Sequence, residues 1–277
     1  MSGGATPLFD VDFAAEVGPP DRRFTLAVRF QARMPRTVIL GPSGAGKTLT
    51  LQCLAGLRTP DTGRIAFAGE PLFDTTGPGP RVDVPARARR FGLVFQDYAL
   101  FPHLTVRQNV AFGLQRGWRN PRHPRHPSAR LEADARADRN ARPDTSANAT
   151  THASTHDDTL VADALRRFEL SPHASKRPHE LSGGQRQRTA LARALVTGPR
   201  ALLLDEPFAA LDAALRQRLR DELDAVLRDT GVPMLMITHD PADRDRFGDQ
   251  VVPLHDGHVE QDDGRQASPV AAAGGNR

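Results

Sequence analysis

The chain has 277 residues, 39% apolar and 25% charged, which is a globular composition long enough to bury a core without disulfides. One cysteine, Cys53, excludes a disulfide framework and a multi-cysteine metal cluster, and no run reaches the roughly 18 apolar residues of a membrane helix. A net charge of +4 from 37 basic and 33 acidic residues is a mixed surface rather than a polyanion-binding patch, so nucleic acid is not an expected partner.

From the N-terminus, Met1–Pro7 lacks the basic-then-apolar order of a signal peptide, and a cytosolic chain with at most a peripheral membrane role is expected. Residues 24–30 alternate as a strand, and Thr37–Leu40 is a short buried apolar run. A helical pattern follows over 49–57, then strands at 64–68 and 91–95 and a helical register at 105–114. Between Arg119 and Asp158 only Leu131 is a large apolar side chain. Such a stretch cannot offset its ordering entropy, so it is expected to be disordered, its four histidines solvated rather than ligating. Helical periodicity returns at 159–168, and a helix is expected from Ser182 to a Gly198-Pro199 stop. Strands at 201–204, 234–237 and 251–254 frame an amphipathic helix over 212–229, and the last dozen residues read as a frayed tail. Apolar strands alternating with helices predict an α/β fold with a mostly parallel sheet covered on both faces.

Gly41-Pro42-Ser43-Gly44-Ala45-Gly46-Lys47-Thr48 fits the phosphate-loop pattern G-x-x-x-x-G-K-[ST], between a predicted strand and a predicted helix. Backbone N–H groups and the helix N-terminus there supply positive potential for a phosphate chain. Lys47 is expected to reach the β- and γ-phosphates of a nucleotide, and the Thr48 hydroxyl to ligate Mg²⁺. Only Lys47 and Lys176 are lysines in this arginine-rich chain, which marks Lys47 as specifically retained. The apolar run 201–204 delivers Asp205 to the carboxyl edge of the sheet as a second metal ligand. Glu206 follows, placed to orient or deprotonate a water attacking the γ-phosphate.

Leu181-Ser182-Gly183-Gly184-Gln185 resembles the signature sequence of ATP-binding cassette (ABC) proteins. Gln96 matches that family's Q-loop glutamine, Asp212 its D-loop aspartate and His239 its switch histidine, all in the family's chain order. The resemblance covers nearly the whole chain apart from 119–158 and the tail. It implies a P-loop NTPase (RecA-like) core over about 1–95 and 196–262, with an antiparallel β edge. It also implies a helical subdomain over about 96–195 and a tail from 263, all in one nucleotide-binding domain. It further implies a head-to-tail dimer, in which Ser182, Gly183, Gly184 and Gln185 of one copy close over ATP held by the other. Gln96 would complete the Mg²⁺ and water shell, His239 would contact the γ-phosphate, and Asp212 would link the two sites. The loop Val17–Asp21 offers no aromatic residue for the adenine stacking common in the family, and Phe24 lies in a predicted strand.

Leu72–Asp74, Arg89–Val106 and Val232–Asp240 resemble bacterial importer ATPases, nearest to the molybdate/sulfate branch, with iron(III) and spermidine importers as the alternatives. This implies an ATPase at the cytoplasmic face of the membrane that works with a permease and, indirectly, a solute-binding protein. Leu100, Phe101 and Leu104 are the candidate docking cluster for that permease, with internal packing of the helical subdomain the equal alternative for any one of them. The 38 residues after His239 are too few for the regulatory β-domain such importers often carry, so none is expected. A soluble ABC protein acting on ribosomes or DNA is the rival from another class. A simple P-loop kinase or GTPase is opposed by the signature sequence and by the lack of an Asn-Lys-x-Asp motif.

Overall fold

The computed structural model describes residues 6–19, 21–114, 147–209 and 211–260. Its strands are β1 (Phe9–Val17), β2 (Phe24–Ala32), β3 (Arg36–Leu40), β4 (Thr62–Phe67), β5 (Glu70–Asp74), β6 (Val82–Asp83), β7 (Phe91–Val94), β8 (Ala201–Asp205), β9 (Met234–Thr238), β10 (Gln250–His255) and β11 (His258–Val259). The helices are α1 (Lys47–Ala55), α2 (Ala86–Arg89), α3 (Val106–Ala111), α4 (Ala147–Arg167), α5 (Gly183–Leu195), α6 (Ala213–Thr230) and α7 (Pro241–Phe247). The strands form one sheet in the order β6-β5-β4-β1-β2-β11-β10-β3-β9-β8-β7.

Two kinds of strand divide that sheet. From β10 to β7 all pairings are parallel, and β8 and β9 are buried along their whole length, as strands covered on both faces must be. From β6 to β2 the pairings are antiparallel, and β1 alternates buried Phe9, Val11, Phe13 and Ala15 with more exposed neighbours. The antiparallel part is thus much more than an edge, and β1, which the sequence analysis did not list, carries its Asp10 and Asp12 on the face opposite the buried Phe9, Val11 and Phe13.

Period-two geometry assigns each central side chain to one of two apolar layers. Val38, Leu202, Leu204, Met234 and Met236 face the layer shared with α5, α6 and the helical subdomain. Ile39, Ala201, Leu203, Leu235 and Ile237 face the layer shared with α1, β1 and β2. Cys53 belongs to the second layer, fully buried, and burial pushes its thiol up to about 12 against the lowering charges of Arg58 and Arg89. It is a core side chain, as expected.

Helix α4 corrects one expectation. Composition predicts disorder through residues 147–158, yet they form the first turns of this helix; residues 119–146 and the tail lie outside the described residues. The reason is cooperative: Val161 and Leu165 anchor the C-terminal half in the core, and extending an existing helix avoids the cost of nucleation. Arg107 and Asp158, 2.8 Å apart, tie it to α3. Among the described residues no helix is long and apolar enough to cross a membrane.

Arg89 is fully buried, and its role is to finish α1. Its Nη1 donates to the carbonyls of Cys53 and Leu54 at 2.8 Å each, and its Nε to Val84 at 2.8 Å. A cation at the negative end of the phosphate-loop helix satisfies the Leu54 carbonyl and adds a second donor to that of Cys53, which also accepts from the Gly56 N–H at 3.1 Å. Arg89→Met is expected to cost on the order of 3 kcal/mol, because charge-assisted bonds to buried carbonyls are lost. Urea unfolding measures it, and a loss below about 1 kcal/mol would show that these carbonyls find other partners.

Candidate functional site

Four adjacent strands, β3, β9, β8 and β7, end on the same edge of the parallel region, and each delivers a motif there. Strand β3 runs into the loop 41–46, β8 ends on Asp205 before Glu206, β9 ends one residue before His239, and β7 ends two residues before Gln96. The carboxyl edge of a parallel sheet is where such folds bind ligands.

The loop enters α1 through Gly46, whose φ of 93° is left-handed. A Cβ there would stand 2.8 Å from Leu26 Cδ1 and 3.1 Å from the Phe24 ring, so the close approach of the loop to β2 also demands glycine. Phe24 opens β2 and packs its ring against the loop at this point.

Lys47 is 5% exposed. Its Nζ donates to the Gly41 and Pro42 carbonyls, both at 2.9 Å, and lies 3.2 Å from Glu206 Oε1. Thr48 Oγ1 donates to Asp205 Oδ1 at 3.2 Å. Glu206 Oε2 is 3.0 Å from His239 Nδ1. Glu206 itself sits at a φ of 43°, unusual for a residue with a side chain, with its N–H bonded to the Ile237 carbonyl at 2.9 Å. The structure therefore joins Lys47, Thr48, Asp205, Glu206 and His239 into one constellation across 192 positions of sequence (239 − 47).

Burial pushes the Asp205 carboxyl above the usual carboxylate range. Glu206 and Asp97 reinforce the rise, while the Thr48 hydrogen bond and Lys47 oppose it. A divalent cation would relieve this buried negative charge, and a threonine hydroxyl beside one carboxylate suits Mg²⁺, which takes its remaining ligands from phosphate oxygens and water. The donor set fits the metal expected from the sequence.

Gln96 is exposed and makes no hydrogen bond to Thr48 or Asp205. Its neighbour Asp97 is close enough to act on Asp205 electrostatically. After it the chain turns through Tyr98 and Ala99, at φ of 64° and 42°, and Arg193 on α5 donates to both of their carbonyls at 2.8 Å. The sequence reading did not find Arg193; strained carbonyls are invisible in a sequence.

Ser182, Gly183, Gly184 and Gln185 lie elsewhere. Ser182 caps α5, its Oγ accepting from the Gln185 N–H at 3.3 Å while Gln185 Oε1 accepts from the Ser182 N–H at 3.0 Å. Gln185 Nε2 is 3.0 Å from His173 Nε2. Gly184 lets α5 press against α6, since a Cβ there would meet Leu215 Cδ1 at 3.0 Å. Among the described residues, no hydrogen bond or ion pair joins this turn to the constellation around Lys47. Asp212 is exposed and caps α6, its Oδ1 accepting from the Leu215 N–H at 3.0 Å.

The candidate docking cluster separates. Leu104 is buried and Leu100 packs on the helical-side core. Phe101 instead lines an open cavity of about 1160 Å³ with Phe91, Leu93, Phe112 and Leu114.

Comparison with known proteins identifies the family. The family model described as ABC transporter matches residues 29–209. The chain is 40% identical over 223 residues to the spermidine/putrescine import ATP-binding protein PotA of Nitratidesulfovibrio vulgaris, covering 80% of this chain and 49% of that one. It is 40% identical over 224 residues to the same-named protein of Escherichia coli K12, covering 81% and 48%. The chain thus spans about half the length of these curated relatives. Among solved structures, a dimeric post-hydrolysis state of the ATP-binding cassette MJ0796 bound to ADP and Pi superposes with a TM-score of 0.66 at 25% identity, covering 91% of this chain and 96% of that one. For cbiO1 of Clostridium perfringens the TM-score is 0.64 at 23% identity, covering 92% and 88%, a likeness of fold. The chain belongs to the ABC transporter family and has the fold of an ATP-binding cassette.

Proposed function

We propose that this chain hydrolyses Mg-ATP as the nucleotide-binding subunit of an importer, and that it does so as a head-to-tail pair. The observation that carries the reading is the separation just described. Lys47, Thr48, Asp205, Glu206 and His239 converge, while among the described residues the Ser182–Gln185 turn has no bond to any of them. A second copy is the natural source of that turn, and the dimeric cassette structure similar to this chain supports it.

In this reading the loop N–H groups and Lys47 hold the β- and γ-phosphates, which replace Glu206 as the partner of the ammonium. Thr48 and Asp205 would hold Mg²⁺, which neutralises phosphate charge. Glu206, released from Lys47, orients and accepts a proton from the attacking water, and His239 contacts the γ-phosphate from the end of β9. Gln96 joins the water shell from the loop after β7, and Asp212 at the head of α6 faces the partner copy. Chelating Mg²⁺ with EDTA is expected to abolish hydrolysis, with recovery on adding the metal back.

The dimer is tested by concentration and by one substitution. Specific activity should rise with protein concentration, and Ser182→Arg should lower kcat by about 100-fold with ATP binding retained. Activity independent of concentration and unaffected by Ser182→Arg would overturn the composite site.

The partner and the cargo belong to this proposal too. The cavity lined by Phe101, Phe91 and Phe112 suits an apolar segment of a permease, at the cytoplasmic face of a membrane. The similar proteins named for spermidine/putrescine import support a polyamine cargo, whereas molybdate rests on the motif resemblance alone. Uptake of labelled spermidine and of labelled molybdate, with and without the Glu206→Gln chain, separates the two.

A further inference from the structure

The constellation explains what His239 touches but not what holds it. Strand β9 ends at Thr238, and His239 is half exposed beyond it, so its ring needs fixing from behind.

Directly behind it is a buried charge network. Arg220 on α6 is 7% exposed. Its Nε donates to Asp243 Oδ1 and its Nη2 to Asp240 Oδ2, both at 2.6 Å. Asp243 Oδ2 accepts from Thr238 Oγ1 at 2.7 Å, and Thr238 Oγ1 accepts from the Asp240 N–H at 3.0 Å. The two residues flanking His239 are therefore both anchored, directly or through Asp243, to one guanidinium. The same guanidinium lies 5.7 Å from the centre of the Phe208 ring, two residues beyond Glu206. One level up on α6, Arg216 donates from Nη2 to the Leu211 carbonyl at 2.9 Å, and its Nη1 is 3.5 Å from Asp240 Oδ2. Arg216, Phe208, Glu206, His239 and Asp240 enclose a common polar cavity of about 40 Å³.

We infer that Arg220 is a positioning residue for hydrolysis: through Asp240 and Asp243 it fixes the backbone on both sides of His239 and so holds the imidazole against Glu206. Arg216 extends the same anchor to the segment leading into Asp212, so a displacement at the head of α6 is felt at His239. The planar fork of arginine is required, since it engages two carboxylates at once at fixed angles and a lysine ammonium does not. The inference rests on the hydrolytic reading above for its consequence, but its geometry can be tested without turnover.

The test compares the wild type with Arg220→Lys, Asp240→Asn and Arg216→Gln. Asp240→Asn retains an N-cap for α7 and spares the buried Arg220–Asp243 pair, so it keeps the test usable if Arg220→Lys fails to fold. In Arg220→Lys and Asp240→Asn, kcat is expected to fall about tenfold or more, with the KM for ATP within about twofold, and Arg216→Gln is expected to show a smaller loss of the same kind. Long-range ¹H–¹⁵N spectra of histidine-labelled protein, with the His239 signals assigned through His239→Gln, should show one tautomer in the wild type. Asp240→Asn should shift them toward the averaged pattern of free histidine. A lower melting temperature with unchanged kcat and an unchanged His239 spectrum would reduce the network to a structural role and overturn the inference. An inactive wild type would overturn the hydrolytic reading instead, and the spectra would still decide whether the network holds His239.

Discussion

Glu206→Gln is expected to bind ATP within about twofold of the wild type and to pair with a second copy, while hydrolysis falls on the order of 100- to 1000-fold. Glutamine keeps the shape and the φ of 43° that the segment 205–208 imposes, so the loop stays in place. It lacks the negative charge that pairs with Lys47 at 3.2 Å and the basicity needed to take a proton from water. Loss of that ion pair frees Lys47 for phosphate, which is why binding should not suffer. Single-turnover hydrolysis with equilibrium binding and size-exclusion chromatography reads all three quantities. A normal hydrolysis rate would remove Glu206 from the role of water-orienting base.

The larger loss of affinity is expected at Lys47. Lys47→Ala should weaken ATP binding by about 100-fold or more, since charge-assisted hydrogen bonds to two phosphates are each worth about 1.5–3 kcal/mol. The variant also leaves the Gly41 and Pro42 carbonyls without their 2.9 Å donor and Glu206 without its cation, in a site where the lysine was almost completely buried. Isothermal titration with ATP measures the affinity. Lys47→Arg is expected not to restore it, because the guanidinium is too large for a pocket that folds the ammonium back between two loop carbonyls. Undiminished affinity in Lys47→Ala would place the phosphates elsewhere.

Much of this site was legible because its chemistry is local. A phosphate loop needs glycines, a lysine and a threonine in consecutive positions, and a buried strand ending in Asp205-Glu206 announces itself by four apolar residues before two acids. Leu202 to Leu204 and Leu235 to Ile237 read as buried strands because parallel central strands are apolar on both faces. Where the sequence misled, distant contacts outweighed local composition. Residues 147–158 look too polar to order, yet they extend a helix whose anchor lies at Val161 and Leu165. For Leu104 the sequence left docking and internal packing equally open; it is buried, because Asn109 holds the carbonyls of Phe101, Leu104 and Thr105 and turns the segment inward.

The one-dimensional order of residues determined the phosphate loop, the acidic strand end, the signature turn and the family, because each is written in neighbouring positions whose backbone geometry is self-contained. Only the folded chain decided that Glu206 faces both Lys47 and His239, that Arg193 and Arg220 brace the segments beside Gln96 and His239, and that the Ser182 turn stays apart from the site. Those are contacts between side chains brought together from distant strands and helices, set by sheet order and packing, and neither leaves a spacing in the sequence to be read.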